Sequence, residues 1–105
     1  MGYMRHHAIV VTAGSPRIED AHEQAKALFS VVSAITQGGT NGYRSFLVPP
    51  DGSKEGWDAS NRGDLARDTF RDYLAGTSCA WAEVQYGDEE GHDLMLDSSA
   101  RYRGR

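Results

Sequence analysis

The side chains of this chain that could bind metal or attack a substrate are His6, His7, His22, His92 and Cys79, with an acidic group at Asp88, Glu89, Glu90 and Asp93. A zinc site draws on cysteine and histidine ligands at set spacings, and a single cysteine cannot supply the usual first pair. His6 and His7 are adjacent, so on an extended segment they point to opposite faces. His22 follows Ile18 by four residues, at the edge of an apolar helical stripe, and reads as a partly buried helix histidine. Cys79 as a nucleophile needs a base and an orienting group, and the sequence offers neither in a recognisable pattern. It reads instead as a small buried residue. No Gly-x-Ser-x-Gly elbow activates a serine. The acidic group lacks the ligand spacing of a calcium loop and reads as a solvated turn. The expectation is therefore no metal, no cofactor and no catalytic residue.

Composition narrows the class further. A chain of 105 residues with 39% hydrophobic and 25% charged residues fits one globular domain, residues 1–105, with a core of its own. One cysteine excludes an intrachain disulfide and suits a reducing compartment. Met1 to Arg5 leads into only a short apolar run, Ala8 to Val11, which is not a signal-peptide pattern. No run approaches the ~20 apolar residues of a membrane span. The expected location is cytoplasmic. A net charge of −4 argues against nucleic acid as the main partner, because phosphate binding rests on clustered Lys and Arg.

The elements that would position these residues follow from periodicity. His6 to Thr12 is β-branched and apolar, a central strand. Ser15 and Pro16 open a helix that runs to about Ser30, with Ser15 as cap and Pro16 in the first helical position. Ile18, Ala21, Ala25, Leu28, Phe29 and Val32 share one face of it. Val31 to Thr36 reads as a second strand, and a Gly- and Asn-rich turn joins it to a third, Tyr43 to Val48. Pro49-Pro50-Asp51-Gly52 stops that strand, and a long loop continues to about Ser60. Asn61 or Asp64 then caps a second helix, whose buried stripe is Leu65, Ala66, Thr69, Phe70, Tyr73 and Leu74. Asp64 with Arg67, and Asp68 with Arg71, are spaced to pair on its surface. Cys79 to Tyr86 is a fourth strand, with Ala82, Val84 and Tyr86 alternating against Trp81, Glu83 and Gln85. His92 to Asp97 is a fifth strand, and residues 98–105 are expected to be a flexible tail. The order β-α-β-β-α-β plus a strand predicts an α+β, ferredoxin-like sandwich with an extra C-terminal strand.

Four stretches carry a resemblance: His6 to Thr12, Asn41 to Phe46, Pro50 to Trp57 and Glu83 to Asp88. Together they resemble a group of small uncharacterised proteins of tailed phages infecting actinobacteria. The resemblance spans most of the chain and is most specific in the long loop. It implies expression inside a bacterial host cell and transfers no activity, cofactor or site residue.

The function expected is a non-catalytic protein-interaction domain, a phage accessory protein whose partner is a host or phage protein or a second copy of itself. The contact residues expected are Lys54, Glu55 and Trp57 in the loop, and Tyr43, Leu47 and Trp81 on the open face of the sheet. With Phe46 and Val48 turned to the helices, alternation puts Tyr43 and Leu47 on the other side. Placing Ala82, Val84 and Tyr86 inward puts Trp81, Glu83 and Gln85 there too. Trp57 is expected to pin the loop to the domain body. Two alternatives stand beside this reading. One is a nucleic-acid-binding domain using the open sheet face, where a single aromatic of the Tyr43/Phe46 pair could stack on a base. The other is a small enzyme with a pocket near the 49–60 loop.

Overall fold

The computed structural model describes residues 5–52, 57–87 and 94–102. Its elements are β1 (Arg5–Ala13), α1 (Arg17–Leu28), β2 (Thr36–Gln37), β3 (Arg44–Val48), α2 (Asp58–Ala75), β4 (Ala80–Gly87) and β5 (Leu94–Ser98). A short 3-10 turn, Ser99–Tyr102, follows. The strands make one antiparallel sheet in the order β2-β3-β1-β4-β5. The class is α+β, with two helices and an open sheet.

Both helices pack on the same face. Ile9, Val11 and Ala13 of β1 and Phe46 and Val48 of β3 meet Ile18, Ala21 and Ala25 of α1 and Phe70 and Leu74 of α2. The register explains the arrangement: Ile9 stands opposite Val48 and Val11 opposite Phe46, so two adjacent rows on this side of the strands are wholly apolar. Phe46 sits at the centre, edge-on to the His22 ring at 5.0 Å and tilted against Phe70 at 6.5 Å. His22 is the partly buried helix histidine expected, and its Nε2–H donates to the Ser33 carbonyl at 2.8 Å.

The entry to α1 differs from expectation. Pro16, after a cis peptide bond, occupies the cap position, and no side chain caps the helix. The Ser15 hydroxyl donates instead to the Glu19 carboxylate at 2.9 Å, which Arg44 of β3 also holds at 2.6 Å. These hydrogen bonds, Ser15 first and Arg44 with it, keep the Glu19 carboxyl below its ordinary range.

The second strand is far shorter than the Val31–Thr36 expected. Only Thr36 and Gln37 pair with β3. Ser33 explains the loss, because it takes both outward backbone groups of Leu47. Its amide donates to the Leu47 carbonyl at 2.9 Å, and its hydroxyl oxygen accepts from the Leu47 amide at 2.7 Å. A side chain thus stands in for a rung of the ladder. The turn into β3 puts Asn41 and Gly42 at positive φ, 62° and 70°, where Asn and Gly are the favoured residues. Gly38 approaches so closely that a Cβ there would lie 2.4 Å from the Tyr43 carbonyl oxygen.

Helix α2 begins at Asp58, before the Asn61 or Asp64 expected, with Trp57 in the cap position. Its inward stripe is Ser60, Arg67, Phe70 and Leu74. Leu65, expected inside, is 68% exposed. Residues 99–102, expected as tail, are tied back to the sheet, where the Trp81 amide donates to the Ser99 hydroxyl oxygen at 3.2 Å. The acidic tip 88–93, with His92, lies outside the described residues, as do 103–105.

Candidate interaction surface

Alternation along β4 is reversed from expectation. Trp81 stands opposite Val11 and Glu83 opposite Ile9, so both face the helices. Trp81 is 4% exposed and belongs to the core, not to the open face. Val84, expected in the core, and Tyr86 are exposed on the other side.

Glu83 is the consequence that sequence reading missed. Its side chain is 1% exposed, beneath α2. Arg71 Nη1 lies 2.6 Å from Oε1, while Arg67 Nε and His7 Nδ1 lie 3.7 and 3.6 Å from Oε2. Burial pushes this carboxyl up, but His7 and the two guanidinium groups outweigh it and hold the acid below its ordinary value. The surface pairs Asp64–Arg67 and Asp68–Arg71 form as expected, so each arginine joins an exposed acid to the buried one. The arrangement fastens α2 to the sheet. Among the described residues no group of three or more His, Cys, Asp or Glu side chains could hold a metal ion.

The open face is composed differently. His6, Ala8, Val10 and Thr12 of β1 face it, with Thr36 of β2, Ser45 and Leu47 of β3, Ala80, Ala82, Val84 and Tyr86 of β4, and Met95 of β5. Cross-strand rows place Leu47, Val10 and Ala82 side by side, then Ala8, Val84 and Met95, then His6 and Tyr86. Val10, Leu47, Val84, Tyr86 and Met95 are all exposed. The two hydroxyls in the next row, Thr12 and Ser45, bond each other at 2.7 Å. None of these residues is Asp, Glu, Lys or Arg, in a chain where such residues make up 25%. Tyr43, just before β3, is exposed as well. Of the contact residues expected on this face, Tyr43 and Leu47 are accessible and Trp81 is not.

A cleft of about 620 Å³ lies at one end of the core, between the end of α1, Pro49–Gly52 and the first turns of α2. Trp57 lines it and remains 53% exposed, so it is partly laid against the domain body. Lys54 and Glu55 lie outside the described residues. A smaller cavity of about 280 Å³ adjoins buried Cys79 and Trp81. Among the described residues no helix is long and apolar enough to cross a membrane.

Comparison with protein-family models gives no match, and comparisons with curated proteins and with solved structures give no significant one.

Proposed function

We propose that this protein is a non-catalytic interaction domain that pairs with a second copy of itself through the open face of its sheet. The observation that carries the reading is the continuous, uncharged apolar surface formed by Leu47, Val10, Val84, Met95 and Tyr86. Exposed apolar area of this kind marks an interaction site when it is contiguous. A two-fold interface sets a patch against itself, and a patch without charge does so without opposing like charges. The Thr12–Ser45 pair can be covered at little cost, because the two hydroxyls already satisfy each other. The lack of Lys and Arg on the face counts against nucleic acid as its occupant.

The finer architecture proposed is a ferredoxin-like split βαβ. It is supported by β3 lying between β2 and β1, and β1 lying between β3 and β4, with β5 added outside. The biological setting proposed, on the resemblance alone, is an accessory protein of an actinobacterial phage acting in the host cytoplasm.

Sedimentation velocity across a concentration series tests the pairing. The expected result is a dimer that Val84→Glu converts to a folded monomer. A wild-type protein that stays monomeric at the highest attainable concentration refutes it.

A further inference from the structure

We infer that the cleft at the start of α2 is a binding site for a small organic anion with an apolar or aromatic body. Its volume of about 620 Å³ falls within the usual ~300–1,000 Å³ of small-molecule sites. Its walls supply ring surface: Phe29 at the end of α1, Pro49 and Pro50 after β3, and Trp57 before α2. Phe29 is fixed there by an edge-on contact with Phe70, at 5.8 Å between centroids. The two prolines bring no amide donors, so the wall they form suits an apolar body. Across from them α2 presents only Ala59, Gly63 and Ala66 between its longer side chains, which keeps the hollow open.

The charge that selects an anion is Arg62. It lines the cleft, and its guanidinium makes no hydrogen bond or ion pair with any described residue. Three other arginines on the helix side of the sheet behave differently: Arg44 holds Glu19, and Arg67 and Arg71 hold Glu83. A guanidinium offers a planar fork of donors that fits a carboxylate or sulfonate. The one acid among the described lining residues, Asp51, has an interaction of its own. Its Oδ2 and Arg67 Nη1 lie 3.0 and 3.1 Å from the single point where a Cβ on Gly63 would stand. Aromatic walls with one cation that has no partner among the described residues describe a site for a monoanion carrying a ring or a short acyl chain.

The probes are anilinonaphthalene sulfonate, its uncharged counterpart N-phenylnaphthylamine, and octanoate as competitor. Wild-type protein is expected to bind both dyes saturably at one site, and octanoate to displace them. Arg62→Gln, an exposed position, is expected to weaken the sulfonate about tenfold and leave the neutral dye unchanged. Ala66→Phe fills the cleft and is expected to abolish binding of both. No saturable binding to wild type overturns the inference, as does an Arg62→Gln protein with unaltered sulfonate affinity. Loss of dye binding in Val84→Glu, with Arg62→Gln silent, also overturns it and assigns the dye to the sheet face instead. The oligomeric state is read separately by sedimentation, so the two proposals fail independently.

Discussion

Arg71 Nη1 donates a 2.6 Å hydrogen bond to Glu83 Oε1 across the seam between α2 and the sheet. This bond joins a strand residue with no access to water to a helix residue that still reaches solvent. Removing one partner of such a pair leaves buried charge without compensation. Glu83→Gln is expected to lower unfolding free energy by about 3 kcal/mol, read as a reduced urea midpoint. The direction of the acid response follows from the lowered carboxyl. Glu83 contributes stability at neutral pH, and the contribution is lost as pH falls below about 4.5, the ordinary value, toward its depressed folded value. The variant is expected to show a smaller loss over that range. An acid profile identical to wild type would show that Glu83 does not contribute in this way.

Phe46→Ala should cost about 3–5 kcal/mol, because Phe46 is buried where β3, α1 and α2 meet and its removal leaves a cavity. An unchanged denaturation midpoint would rule out this placement.

Trp81→Glu and Val84→Glu, only three residues apart, should behave in opposite ways. Trp81 is in the core, so the new carboxylate has no water and no partner, and the cost should be about 4 kcal/mol or more. The protein should lose its near-ultraviolet circular dichroism or fail to fold. Val84→Glu should retain the spectrum and a cooperative unfolding transition while losing self-association. Folded, monomeric Trp81→Glu protein would instead restore the expected alternation.

Ser33→Ala removes the acceptor for the Leu47 amide. The expected cost is about 1 kcal/mol, with faster hydrogen exchange at that one amide. Leu47 protection equal to wild type would show that Ser33 does not hold the strand.

Much of this architecture was legible from periodicity. The β1, α1, β3 and α2 segments and the core partners Phe46, Val48, Ile9, Val11 and Phe70 follow from apolar spacing, because burial of one face is what the spacing records. Strand β4 was not legible for the same reason. Both of its faces are mixed, one with Trp81 and Glu83 and the other with Val84 and Tyr86, so hydrophobicity alone favours the wrong one. The signal that resolves it lies in another element. Arg67 is three residues before Phe70 and seven before Leu74, hence on their stripe, and a buried cation requires a buried anion. Glu83 is the acid in β4 that can answer it. Ser33 escaped notice because a side-chain substitute for a ladder bond has no hydrophobic signature. The cleft was anticipated only as a place near the loop, and the role of Arg62 depends on which arginines find partners in the folded chain.

The clamp of Ser33 on Leu47 also bears on association between chains, such as growth into fibrils. An open sheet offers its outer strands as templates, and a long bare edge invites a foreign strand to dock and recruit another. On the β3 side that invitation is nearly withdrawn. Two residues of β2 cover part of the margin, and a non-strand segment occupies the Leu47 groups beyond them. An incoming strand finds no uninterrupted row of donors and acceptors there, so that margin is a poor template for ordered stacking.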